Sequence, residues 1–109
     1  MNSHKASVSH ETRLQDELRD PAFARAYLEA ALDEADEPGG QEVLLLALRQ
    51  LAEAQGGMTC LAERTGIRRE ALYRALSPRG NPTLTTLRTI LTALGLRLSL
   101  SNEGMLNAH

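Results

Sequence analysis

Seven arginines, Arg64, Arg68, Arg69, Arg74, Arg79, Arg88 and Arg97, fall within residues 64–97, where Glu70 is the single acid. A guanidinium donates bidentately to the major-groove edge of guanine, and a carboxylate accepts from the amino group of cytosine. The pair Arg69-Glu70 therefore has the chemistry of base reading. Tyr73 lies one helical turn further on. Arg64, Arg74 and Arg79 have the chemistry of phosphate contact. Arg68 adds charge where a helix starting there would meet DNA. The opposite charge collects at the front of the chain: residues 1–40 hold nine acids against four basic residues, for −5, whereas residues 41–109 carry +3. Asp33, Glu34, Asp36 and Glu37 crowd the end of one amphipathic segment, where a helix dipole disfavours them. An acidic front and a basic rear invite two different partners, such as a basic protein and double-stranded DNA, with chance segregation of solvated surface charge as the bland alternative.

Catalytic and cofactor chemistry has no comparable support. The histidines are His4, His10 and His109, in the two tails, and they assemble no metal-ligand cluster with Cys60. Cys60 stands beside Leu61 and reads as a small core residue. Ser77 and Ser99 have no nearby histidine, and no glycine-rich phosphate loop is present. The expectation is a non-enzyme without catalytic residues, cofactor or metal. A single cysteine allows no internal disulfide. Residues 1–10 lack an apolar core of the signal-peptide kind, and the longest apolar run, Val43–Leu48, is far below the roughly 20 residues of a membrane span. These features set the expectation of a cytoplasmic protein with no membrane partner.

The elements that must position the arginines read as helices. The chain is rich in Ala and Leu, with 3% aromatic residues supplied by Phe23, Tyr27 and Tyr73, so the core must be aliphatic. After a polar tail at 1–10, Leu14 and Leu18 suggest a short helix over Glu11–Arg19. Asp20-Pro21 is an N-cap followed by proline at the first helical position. The helix it opens is expected to reach about Asp36, burying Phe23, Ala26, Tyr27, Ala30 and Ala31, with Leu28 and Leu32 widening the stripe. Pro38-Gly39-Gly40 divides an N-terminal tail and acidic helical extension (1–40) from a domain over 41–100, with a mobile tail at 101–109.

Within that domain Gln41–Gln55 carries Leu44, Ala47, Leu48, Leu51 and Ala52 on one face and Val43 and Leu46 on a second, as in a helix buried on two sides. Thr59 is expected to cap a short helix ending at Thr65, before Gly66 in a left-handed turn. A further helix spans Arg68–Leu76, Ser77–Pro82 is a loop, and Thr83 caps a last helix whose Leu84, Leu87, Leu91 and Leu94 face inward. Leu96-Arg97-Leu98-Ser99-Leu100 alternates with period two and predicts a short C-terminal β-strand. Such a strand would offer unpaired backbone groups to a symmetry mate; the helix Gln41–Gln55 is the other place for dimer contacts, and packing back on its own domain is the bland one. The predicted fold is thus all-α, five to six helices with a helix-turn-helix formed by the two short helices on either side of Gly66, plus that strand.

The motif LAERTGIRREALYRAL at 61–76, followed by GNPTLTTL at 80–87 and LTALGL at 91–96, resembles the Cro/repressor-like (Xre) helix-turn-helix family over about half the chain. AYLEAALDEAD at 26–36, Gly57-Met58, REALYRALSPRGNPTLTTL at 69–87 and LGLRLSL at 94–100 resemble more narrowly the addiction-module antidotes, the HigA-like antitoxins. That resemblance implies a dimeric antitoxin that represses its own promoter and holds a RelE/HigB-like ribonuclease toxin inactive. It places Arg68, Arg69, Glu70, Tyr73, Arg74, Arg79 and Arg64 on DNA. Asp33, Glu34, Asp36 and Glu37 would lie toward the basic toxin. The chain departs from the Xre pattern at Arg68, where Ser or Thr commonly caps the recognition helix, and in having Cys60 alone between Thr59 and Leu61-Ala62. Two other readings fit the residues: a stand-alone Xre-family transcriptional regulator, or an interaction module that has lost DNA binding.

Overall fold

The computed structural model describes residues 12–102. The polar tail expected at 1–10, and the part of the C-terminal tail from residue 103, lie outside the described residues. The described chain is a succession of short helices: residues 12–17 (α1), then Pro21–Asp33 (α2), Gly40–Ala54 (α3), Gly57–Thr65 (α4), Arg69–Ala75 (α5) and Leu84–Ala93 (α6). Helix α3 packs on α2 and α4, and α4 packs in turn on α5 and α6. All the helices share one aliphatic core, in which Leu18, Leu45, Leu48, Leu51, Leu72, Leu76 and Ile90 are fully buried.

Local chemistry sets most of the boundaries. Asp20 caps α2, its carboxylate accepting from the Ala22 amide at 3.2 Å, with Pro21 at the start of the helix. A cap of this kind contributes about 1 kcal/mol. Thr83 caps α6 by accepting from the Thr86 amide at 3.1 Å. Gly66 closes α4 at φ +75°, where its amide donates to the Ala62 carbonyl, a conformation that costs an L side chain strain.

Several expectations are corrected. There is no strand at Leu96–Leu100, nor elsewhere among the described residues. The alternation there finds no neighbouring strand to pair with. Leu96 packs on the core, its amide donating to the Leu91 carbonyl at 2.8 Å, while Leu100 is fully exposed. The fold is all-α. Helix α2 stops at Asp33, short of Asp36, as acidic residues begin to load its unfavourable end. Its buried stripe is Ala24, Leu28 and Ala31, with Phe23 and Tyr27 at the margin and Ala26, Ala30 and Leu32 exposed. The marginal place suits Tyr27, whose hydroxyl donates to Gln50 Oε1 at 2.7 Å. Thr59 does not cap α4: the helix begins at Gly57, placing Met58 with Leu61 in the core and Thr59 on the outer side. Val43 and Leu46 are exposed, so α3 is buried on one face only. In α6 Leu84 is 64% exposed, and Ile90 takes the central core position.

Candidate nucleic-acid interface

The two helices α4 and α5 pack together across the three residues Gly66–Arg68. Thr65 organises the turn: its hydroxyl donates to the Leu61 carbonyl at 2.8 Å and accepts from the Ile67 amide at 3.1 Å. Ile67 packs against the core and Leu72 is fully buried, locking α5 to α4. With Leu72 and Leu76 inside, Arg69, Glu70, Tyr73 and Arg74 are all exposed on α5. Arg68 is the N-cap residue, extended at φ −60°, ψ 142°, and its side chain makes no cap hydrogen bond. The Arg69 guanidinium carbon lies 5.5 Å from the centre of the Tyr73 ring, so the two side chains form a cation–π pair one turn apart.

The arginines expected on phosphates divide into two places. Arg74 and Arg79 line one groove together with Ile67, Asn81, Thr83 and Thr86, between the end of α5 and the start of α6. Arg64 does not join them. It lines a separate groove with Arg88, Thr85 and Thr89, and its Nη1 donates to the Ala93 carbonyl near the end of α6 at 3.3 Å. Arg88, counted in the basic stretch but given no role from sequence, therefore belongs with Arg64.

Asp33, Glu34, Asp36 and Glu37 are all exposed, at the end of α2 and in the turn that follows. That turn is tight: the Gly40 amide donates to the Glu37 carbonyl at 2.8 Å, and a Cβ at Gly40 would stand 2.9 Å from the Ala35 Cα and closer still to the Glu34 carbonyl oxygen. The sole salt bridge among the described residues is Asp16–Arg19, at 3.9 Å and well exposed, so none of the four carboxylates is paired within the described chain. Helix α2 is seated on α3 and supplies Ala24, Leu28 and Ala31 to the common core. Among the described residues no helix is long and apolar enough to cross a membrane. Cys60 is a half-buried free thiol.

Two side chains that sequence reasoning passed over also bear on α5. Arg49 Nη1 donates to the Leu76 carbonyl, and Gln41 Nε2 donates to the Gly80 carbonyl at 3.2 Å. Links across 27 and 39 residues leave no local pattern from which they could be read.

The chain is 40% identical over 62 residues to an uncharacterised protein of Haemophilus influenzae, a stretch covering 57% of this chain and 63% of that relative. The match thus spans less than two thirds of the relative's length. No solved structure matches. A family described as "Probable addiction module antidote protein" matches residues 10–102, which takes in every helix described above. The chain belongs to the addiction-module antidote family.

Proposed function

We propose that this protein is the antitoxin of a toxin–antitoxin operon and a repressor of its own promoter, of the HigA-like, Xre-type helix-turn-helix class. An antidote implies a toxin, and DNA reading is the part of the proposal that rests on geometry. The observation that carries it is α5 itself: a short helix locked to α4 by Leu72, presenting Arg69, Glu70, Tyr73 and Arg74 outward, with Arg68 at its N-terminus. In a helix-turn-helix the N-terminal residues of the second helix meet base edges in the major groove. Arg69, Glu70 and Tyr73 take the base edges, and Arg74 and Arg79 the phosphates. Arg64, held by the end of α6, reaches DNA less directly.

Two recognition helices reading a palindrome require a two-fold dimer. The toxin is a basic RelE/HigB-like ribonuclease, met by Asp33, Glu34, Asp36 and Glu37, whose carboxylates, unpaired among the described residues, suit steering of a cationic partner. The test is co-expression with the neighbouring gene, followed by gel shift on the operon's promoter and on a scrambled duplex. Co-purification of a small basic protein and preference for the promoter support both halves. Absence of any promoter preference removes the repressor half.

A further inference from the structure

Helix α5 has seven residues and no side-chain N-cap. Isolated helices shorter than about 12 residues are marginal in water, so its orientation must be imposed from outside. Burial of Leu72 and Leu76 seats it on the core, but apolar contact is non-directional and does not by itself fix a tilt or rotation. Directional contacts concentrate at its C-terminal end. Arg49 donates to the Leu76 carbonyl, and Ser77 Oγ donates to the Arg74 carbonyl at 2.9 Å. The Gly80 amide then folds back to the Ser77 carbonyl at 2.8 Å, while the Gly80 carbonyl accepts from Gln41 at 3.2 Å. A Cβ at Gly80 would stand 2.6 Å from the Ala75 carbonyl carbon and closer still to its oxygen, so the loop lies directly against the helix end.

Arg49 and Gln41 both belong to α3, about two turns apart. One helix thus holds the end of α5 and the loop beyond it at two separate points. Arg49 has no carboxylate partner among the described residues, and its charge sits where the dipole of α5 is negative.

We infer that Arg49, assisted by Gln41, is a positioning residue that sets the angle at which α5 presents Arg69, Glu70 and Tyr73 to the major groove. The inference rests on the DNA-reading role proposed above. Arg49 acts through the Leu76 carbonyl. A fixed helix angle matters because base-edge contacts tolerate little displacement, whereas phosphate attraction is long-ranged and does not depend on it.

The experiment compares the unaltered protein with Arg49→Met, Arg49→Lys and Gln41→Ala. It measures binding to promoter and scrambled duplexes over a salt series, and amide exchange at Leu76, Ser77 and Gly80. Arg49→Met is expected to weaken promoter binding about tenfold, the scale of one charged hydrogen bond, with scrambled binding and the salt slope unchanged. Exchange at Leu76 and Ser77 should quicken. Lysine, which can still donate to one carbonyl, should recover most of the loss, and Gln41→Ala should quicken Gly80 alone. Should Arg49→Met fail to fold, Arg49→Gln, whose shorter side chain does not reach the Leu76 carbonyl, and Gln41→Ala carry the exchange test. Unchanged exchange in these variants overturns the anchoring. Equal loss on both duplexes with a shallower salt slope also overturns it, by making Arg49 a phosphate contact. If the unaltered protein shows no promoter preference while exchange responds as expected, the DNA reading fails and the anchoring stands.

Discussion

The guanidinium of Arg69 lies over the ring of Tyr73, 5.5 Å from its centre, on the exposed side of α5. The contact restricts a long, otherwise freely rotating side chain on an exposed helix face, and a guanidinium held in this way suits bidentate donation to guanine. Arg69→Ala should therefore cost about 1–3 kcal/mol on the promoter site and relax discrimination at one base position. Tyr73→Leu keeps the charge but removes the ring, and should lose a smaller part of the same discrimination. Equilibrium binding to the promoter and to single-base variants of it checks both. Indifference of every duplex to Arg69→Ala would remove α5 as the reading helix.

Arg79 stands in the loop beside Arg74, in the groove leading to the start of α6. A phosphate contact there releases counterions without reading sequence. Arg79→Ala should weaken promoter and scrambled duplexes alike and lower the slope of log affinity against log salt by about 1. Arg64→Ala should change that slope less, because its guanidinium is engaged with the Ala93 carbonyl. Binding curves at several salt concentrations distinguish the two arginines.

The contrast between these arginines bears on what the chain reveals before it is folded. Asp20-Pro21, Gly66 and Thr83 act through close neighbours along the chain, so their roles are visible in the sequence. So is the exposure of Arg69, Glu70 and Tyr73, once Leu72 is placed inside. The phase of α2 is not visible. Alanines lie all round that helix, and the choice of Ala24, Leu28 and Ala31 over Ala26 and Ala30 is made by its packing on α3. Leu96–Leu100 misleads for a related reason: alternation describes two faces, but a strand exists only where another strand can pair with it. The separation of Arg64 from Arg74 and Arg79 depends on where α6 ends, which charge clustering along the chain does not contain.

Asp33, Glu34, Asp36 and Glu37 are exposed and make no ion pair among the described residues, so neutralising them should leave the fold intact. Changing all four to Asn or Gln should slow association with the toxin and flatten its dependence on salt, with thermal stability little altered. Point changes are the right instrument. Deleting α2 would also remove Ala24, Leu28 and Ala31 from the core, and loss of neutralisation would then report unfolding. Stopped-flow association with the co-purified toxin provides the measurement, and an unchanged association rate would place the toxin elsewhere.

Val43 and Leu46 lie three residues apart on the solvent side of α3, 52% and 42% exposed. Burying them against a second copy would give the two-fold dimer that a palindromic operator calls for. Leu46→Glu should shift sedimentation from dimer toward the 11.9 kDa monomer and weaken operator binding while leaving the fold intact. A Leu46→Glu protein that remains dimeric would exclude this face.

Gly66 and Gly80 flank α5 and are required for different reasons, which stability measurements can separate. A methyl group at Gly66 would meet open space, but the residue sits at φ +75°. Gly66→Ala should cost about 1 kcal/mol through backbone strain alone, and Gly66→Asn less, since asparagine enters the left-handed region more readily. Gly80 has no such backbone constraint, but its Cβ would collide with the Ala75 carbonyl group, whose carbon would be 2.6 Å away. Backbone rather than a flexible side chain must yield, so Gly80→Ala should cost more, about 1–3 kcal/mol as overpacking, and Gly80→Asn should bring no relief. Urea denaturation of the four variants measures the difference. Because the Gly80 carbonyl is also the acceptor for Gln41, Gly80→Ala should in addition impair promoter discrimination, whereas Gly66→Asn should preserve it. Equal costs at the two sites, or rescue of Gly80 by asparagine, would contradict the close approach of the 77–80 loop to the end of α5.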